Sequence, residues 1–276
     1  MQGTKLAVGA TLMFGLTLTG VRGAAAQKDP FVASSTTPSK LSTTPVIGQP
    51  YSATKYVRTV KTLPNGRQVT INEGNPWKVA RDAQGRVVVD HQPECPLDPP
   101  ARAWCGTHEV ILFDPKARTI TPWLWGANAG PGATLGKITA AQLEEAVTKL
   151  AVEEKPSEPG WPQPSVTTED LGQQVIEGVP VNGVRTTTVV STGYSGNDAP
   201  ITTNREVWTS AEMKLVMKVV TTDPRTGVRT VGLEDFSRHA GPALFRPPAN
   251  YALNSTKYTG TLADNYVKKL AEGEAQ

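Results

Sequence analysis

Hydrophobic and polar residues alternate through most of the chain, in short runs separated by glycine, proline, asparagine and aspartate. The longest region with this pattern is Glu169–Tyr251. Runs rich in Val, Ile and Thr with a period of two, bounded by such turn residues, are typical of consecutive antiparallel strands. Within this region the pattern predicts a turn over residues 177–183. It also predicts a central strand over residues 214–222, because apolar residues occur there at both odd and even positions and would cover both faces of the strand.

Two hairpins precede that region. Alternating runs at residues 56–62 and 67–71 flank Asn65-Gly66, and this dipeptide is a strong hairpin signal because both residues accept positive φ angles. A second pair of alternating runs covers residues 77–81 and 86–90. We therefore expect the antiparallel sheet to begin well before Glu169.

Residues 139–154 have the pattern of an amphipathic helix. Thr139 is a suitable N-cap, and Gln142 completes a capping box three residues later. One face of this helix carries apolar residues at helical spacing: Leu143, Val147, Leu150 and Ala151. That stripe requires a partner surface, which we expect to be the sheet.

The whole pattern predicts a mostly β fold with minor α content. We expect a curved antiparallel meander, an open or half β-barrel, covered by one or two helices. A single β-rich domain is predicted over residues 51–254, with a proline-rich connector at 155–165. Residues 255–276 are predicted to form a C-terminal tail with a short helix. Any binding site is expected on the face that the sheet shares with helix 139–154.

The N-terminus predicts export. Residues 1–26 have the organisation of a secretory signal, with Lys5 before an apolar run and small residues at the end. The run is shorter than the ~20 residues of a membrane span, which favours cleavage over an uncleaved anchor helix. We predict a periplasmic or extracellular protein with no transmembrane anchor after signal cleavage. Residues 27–50 are rich in Ser, Thr and Pro and are predicted to be a flexible leader.

The charge of the chain argues against a nucleic-acid partner. The sequence has 28 basic and 25 acidic residues, and two of the basic ones, Lys5 and Arg22, would leave with the signal. The remaining charges are evenly spread, without the basic patch that nucleic acids or anionic membranes require.

Both cysteines and two of the three histidines lie close together in the sequence, as His91, Cys95, Cys105 and His108. One interpretation is a disulfide between Cys95 and Cys105, which an even cysteine count in an exported chain supports. Closing that loop would contribute about 2–3 kcal/mol to stability. The alternative is a tetrahedral metal site made by all four side chains, although their spacing matches no common zinc pattern. We favour the disulfide because oxidising compartments pair thiols.

Trp123 and Trp125 precede a glycine-rich loop at residues 126–136. The loop lacks the glycine spacing of a phosphate-binding motif. Two interpretations of the tryptophans remain open. They could bind a sugar or a lipid, or they could mark a strand end packed into the core, as large aromatic residues mostly do.

Several segments resemble those of a family of uncharacterised secreted bacterial proteins. The segments are EDLGQQVIEGVPVNGVRTTT, EVWTS, TDPRTG and LFRPPANY, together with the hairpin loop Arg81–Arg86. This resemblance implies no activity. The layout is also similar, at the level of the fold only, to the half-barrels of periplasmic lipoprotein carriers, whose concave face holds acyl chains. Fold similarity alone does not establish function.

Common catalytic motifs such as GxSxG and HExxH are absent from the sequence, so we predict no enzymatic activity and no cofactor. The favoured hypothesis is an exported binding or carrier-like module for an unidentified hydrophobic ligand, for example a lipid or a lipoprotein. The alternative is a cell-envelope protein-interaction or scaffold protein without a small ligand.

Overall fold

The computed structural model describes residues 44–95, 105–127, 129–152, 164–194, 196–257 and 261–274. The predicted signal, the leader up to residue 43 and most of the predicted connector lie outside these residues, so their assignments stay predictions.

The described residues contain thirteen strands, which form one sheet. The strands are β1 (Tyr51–Thr62), β2 (Gln68–Asn72), β3 (Trp77–Arg81), β4 (Val87–His91), β5 (Thr107–Asp114), β6 (Thr119–Gly126), β7 (Gly132–Lys137), β8 (Ser165–Ile176), β9 (Val179–Val190), β10 (Ile201–Ser210), β11 (Leu215–Asp223), β12 (Gly227–Ser237) and β13 (Ala252–Lys257). Their order is β13-β7-β6-β5-β4-β3-β1-β12-β11-β10-β9-β8, and β2 pairs with β1 off this path. The sheet is curved and not closed on itself, which confirms the predicted fold class.

Strand β1 joins the two halves of the sheet. One edge pairs with β12, whereas the other edge pairs with β3 over its first half and with β2 over its second half. The predicted Asn65-Gly66 hairpin is confirmed by the β1–β2 register, in which Val60 opposes Thr70. Gly66 has a φ of 78°, a conformation that glycine adopts without steric cost.

The turn between β8 and β9 is shorter than predicted. It consists of Glu177 and Gly178 alone, with φ angles of 49° and 72°, and β9 already begins at Val179. Two consecutive positive φ angles give a turn whose twist matches that of the flanking strands. Pro180 therefore lies inside a strand instead of a loop.

All the strand pairs are antiparallel except the pair at one edge of the sheet. There β13 runs parallel to β7, with Ala252 opposite Gly132 and Lys257 opposite Lys137. The chain reaches this edge because residues 238–251 cross one face of the sheet after β12. The sequence predicted that the domain ends at residue 254 and that a tail follows, since the pattern of 252–257 does not reveal its remote partner.

Two helices pack on the other face, which we call the helix face. They are α1 (Ala140–Val152) and α2 (Thr261–Glu274). The predicted capping box of α1 is present: the Thr139 N–H donates to Gln142 Oε1 at 2.8 Å, and the Gln142 N–H donates to Thr139 Oγ1 at 3.1 Å. The main core unites helix side chains with alternate residues of the strands: Leu143, Ala146, Val267, Leu270, Ala271, Val79, Val89, Ile111 and Phe113.

A second cluster lies on the opposite face, which we call the outer face, and combines strand residues with Phe245. It contains Ala80, Val88, Val110, Leu112, Trp123, Ala133 and Phe245. Because side chains alternate along a strand, each of β3 to β6 contributes to both clusters. Within the described residues, no helix is long and apolar enough to cross a membrane.

The end of the predicted leader is attached to the domain. The buried Arg81 guanidinium donates from Nε to the Gln49 carbonyl at 3.0 Å, and the Gly48 N–H donates to the Ala83 carbonyl at 3.0 Å. Arg81 also donates to the backbone carbonyl of Met213. Residues 44–50 therefore continue the folded domain.

Candidate functional site

A cavity of about 950 Å³ lies on the outer face. Its floor, which we call the cavity floor, is made by β1, β3, β4, β5 and β6. Residues 243–249 form the facing wall as they cross the sheet. The sequence predicted a site on the face shared with α1, and the structure instead places the cavity on the opposite face, because α1 and α2 fill the helix face with core side chains.

The cavity floor follows from strand register. Thr54, Lys78, Asp90, Val110 and Trp123 are consecutive cross-strand partners on β1, β3, β4, β5 and β6. Directly opposed side chains lie about 5 Å apart on the same face of a sheet. The row therefore brings together residues that are distant in sequence, and it changes from polar at Thr54 to aromatic at Trp123.

The crossing residues 241–251, which we call the closing segment, are anchored at two points. Phe245 is 3% exposed and packs in the outer-face cluster. The Tyr251 hydroxyl donates to the backbone carbonyl of Leu124 at 2.8 Å. Pro247 and Pro248 lie between these anchors and line the cavity, and each proline fixes its own φ angle. The facing wall is therefore held over the floor at both ends.

The two tryptophans have different environments. Trp123 is 6% exposed and belongs to the outer-face cluster, whereas Trp125 is 38% exposed. Both line the cavity. Trp123 is therefore packed into a hydrophobic cluster, as one interpretation of the sequence expected. Ligand binding by Trp123 and Trp125 stays a prediction.

Asp90 and His108 form a polar pair beside Trp125. His108 Nδ1 donates to Asp90 Oδ1 at 2.7 Å, since a carboxylate can only accept. The imidazole also stacks on Trp125, with ring centroids 4.1 Å apart. These contacts orient the Trp125 ring at the edge of the cavity.

The cysteine and histidine patch is divided by the structure. Cys95 and Cys105 lie at disulfide-bonding distance, with Cα atoms 5.0 Å apart. His91 opposes Glu109, the neighbour of His108, so the two histidines lie on opposite faces of the sheet. Among the residues that the structure describes, no group of three His, Cys, Asp or Glu side chains is placed to hold a metal ion. The arrangement supports the disulfide and not the four-ligand metal site.

His91 lies on the helix face against Trp77, with ring centroids 4.3 Å apart. Burial lowers the pKa of His91 below its ordinary value of 6.5, because desolvation disfavours the charged imidazolium. This histidine therefore belongs to the packing of the helix face and does not reach the cavity.

The sequence does not predict the cavity as a whole, but it does single out two of its parts. Trp123 and Trp125 are predicted ligand residues, and LFRPPANY is one of the segments that resemble the family of secreted bacterial proteins. The charged residues Lys78, Asp235 and Arg246, which also line the cavity, carry no local pattern that sets them apart from other surface charges.

No protein-family model matches the chain, and no curated protein matches it. The predicted resemblance to a family of secreted bacterial proteins therefore stays a prediction.

Solved structures with a related layout share little sequence with this chain. A protein named PNGF-II is 13% identical, with a TM-score of 0.36, over 80% of this chain and 33% of its own. The lipoprotein LppX of Mycobacterium tuberculosis is 12% identical, with a TM-score of 0.28, over 77% of this chain and 98% of its own. The LolA superfamily protein NE2245 of Nitrosomonas europaea is 10% identical, with a TM-score of 0.22, over 72% of this chain and 90% of its own. The chain thus spans a third of the length of PNGF-II. Similarity at this level carries no functional argument, so function is argued from the cavity.

Proposed function

We propose that the protein is an exported, non-enzymatic binding module whose outer-face cavity holds a small, largely hydrophobic ligand. The observation that carries this proposal is the cavity of about 950 Å³ between the cavity floor and the closing segment. Ligand sites typically measure roughly 300–1,000 Å³ and combine apolar walls with a few polar groups.

The walls support a hydrophobic ligand. Val88, Val110 and Trp123 are buried residues on the floor, and Leu244 faces them from the closing segment. Leu244 is 43% exposed, although it lies next to the buried anchor Phe245. A ligand that covers Leu244 and Trp125 would remove apolar surface from water, which stabilises the complex.

A neutral apolar fluorophore, N-phenyl-1-naphthylamine, tests the proposal directly. We expect saturable binding to the mature chain with one probe per protein. Leu244→Ser should weaken that binding several-fold because it removes apolar wall. Leu253→Ser is the matched control, since Leu253 is also an exposed leucine but lies on β13 and does not line the cavity. Non-saturable binding, or equal effects of the two variants, would contradict the proposal.

A second candidate function, protein interaction in the cell envelope, is favoured by strand β8. It is a twelve-residue strand at the end of the sheet order, and it contains the exposed residues Val166 and Val175. Long edge strands present backbone N–H and C=O groups that can pair with an extended segment of another protein. If this function holds, Val175→Pro should abolish complex formation with an isolated partner, while Leu244→Ser should leave the complex intact.

A further inference from the structure

Two cationic side chains line the cavity from opposite sides. Lys78 belongs to the cavity floor, and Arg246 follows the anchor Phe245 in the closing segment. Within the described parts of the chain, no carboxylate lies within ion-pairing distance of either one.

Nearby cations on the same face do have partners. Arg86 Nε lies 2.6 Å from Asp82 Oδ2, and Arg58 Nη2 lies 3.9 Å from Glu234 Oε2. Lys78 and Arg246 differ from these two arginines because no carboxylate in the described residues neutralises them inside the cavity.

The acid next to Lys78 is already engaged. Asp90 is the direct cross-strand partner of Lys78, but its Oδ1 atom accepts the hydrogen bond from His108. This bond holds the carboxylate toward β5 and Trp125. Lys78 consequently keeps its hydrogen-bond donors available to a ligand in the cavity.

Asp235 limits the charge that a ligand can carry. It lies in an irregularity of the β1–β12 pairing with a φ of 54°, and it also lines the cavity. No cation in the described residues pairs with it. Its carboxylate would repel a second negative charge but could accept a hydrogen bond from a ligand hydroxyl. A head group with one negative charge therefore fits better than one with two.

Together with the apolar walls, these charges define a ligand class. We propose that the cavity binds an amphiphile with one anionic group, a carboxylate or a phosphodiester, which lies between Lys78 and Arg246. Its apolar part contacts Trp123, Val110 and Leu244. This inference rests on the proposed function and adds the chemistry of the head group.

The test compares dodecanoate with dodecanol, two probes with the same chain length and different head groups, below their aggregation concentrations. Displacement of N-phenyl-1-naphthylamine from the mature chain gives both affinities. We expect dodecanoate to bind about tenfold more tightly, the ratio that one charge-assisted hydrogen bond supplies. The difference should shrink at high ionic strength, because Lys78 and Arg246 are both exposed to solvent.

Single variants locate the head group. Lys78→Gln and Arg246→Gln should each weaken dodecanoate binding several-fold and dodecanol binding much less, because an uncharged hydroxyl accepts only a weaker hydrogen bond from either cation. Arg67→Gln is the control, since Arg67 is an exposed arginine at the β1–β2 turn outside the cavity. A third ligand, lauroyl lysophosphatidylglycerol, distinguishes the two anions: tighter binding than dodecanoate assigns a phosphodiester, and weaker binding assigns a carboxylate.

The outcomes separate this inference from the proposed function. If dodecanoate and dodecanol bind equally, or if both charge variants behave like Arg67→Gln, the inference of an anionic head group is wrong. The proposal of a hydrophobic ligand in the cavity is then unaffected. If the fluorophore saturates but neither probe displaces it, the amphiphilic ligand is wrong. If the fluorophore itself does not saturate, the proposed function is wrong as well.

Discussion

The Tyr251 hydroxyl donates a hydrogen bond to the backbone carbonyl of Leu124, 2.8 Å away, across 127 residues of sequence. This bond joins the end of the closing segment to β6, the strand that carries Trp123 and Trp125. It also places the chain for its parallel pairing with β7, which begins at the next residue, Ala252.

Removing that hydroxyl should loosen the closing segment. In Tyr251→Phe the partly buried Leu124 carbonyl loses its donor, which should lower the free energy of unfolding by about 1 kcal/mol. Hydrogen exchange should accelerate in residues 241–251 more than elsewhere. An exchange pattern identical to that of the parent protein would show that the hydrogen bond does not hold the segment.

Phe245 should be the stronger anchor. Phe245→Ala removes a buried ring from the outer-face cluster and should lower the free energy of unfolding by about 3 kcal/mol. Leu244→Ala is the matched control at the exposed neighbouring position, and its effect should stay within about 0.5 kcal/mol. Urea denaturation measures both values. Similar losses in the two variants would contradict the anchoring role.

The pair Cys95 and Cys105 should contribute to stability through a disulfide and not through metal binding. Cys95→Ser/Cys105→Ser should lower the free energy of unfolding by about 2–3 kcal/mol, because the open chain gains conformational entropy when unfolded. The melting temperature of the parent protein should not change with a chelator. Detection of stoichiometric zinc in the native protein would overturn this prediction.

Acid should destabilise the protein partly through Asp223. Hydrogen bonds from the Arg225 side chain and backbone hold the pKa of Asp223 below its ordinary value of 3.8 in the folded state. As the pH falls, the unfolded chain takes up this proton first. The contribution of Asp223 is therefore present above about pH 3.8 and is lost as the pH falls through its lower folded pKa.

The measurement is the slope of unfolding free energy against pH in acid. Asp223→Asn should flatten the slope, whereas Asp198→Asn, an exposed control with no ion pair among the described residues, should leave it unchanged. An identical acid slope in Asp223→Asn and the parent protein would mean that the hydrogen bonds from Arg225 do not couple to folding.

Local interactions account for the parts of the fold that could be predicted. The Asn65-Gly66 hairpin and the Thr139–Gln142 capping box each depend on residues a few positions apart, so their patterns can be read directly. The proximity of Cys95 and Cys105 follows from a short intervening loop. The alternation of apolar residues likewise predicted an open sheet covered by helices.

Tertiary structure decided everything that depends on which strands become neighbours. In the β4–β5 register His91 lies opposite Glu109, the residue after His108. The side chains of the two histidines therefore point to opposite faces of the sheet. The parallel pairing of β13 with β7 places the closing segment over the outer face, and this long-range path creates the cavity. The sequence by itself determined the local turns and caps and the alternation of buried and exposed positions along each strand, because those depend on neighbouring residues. The juxtaposition of Lys78 with Arg246 depends on contacts across 168 positions, for which a single sequence contains no pattern.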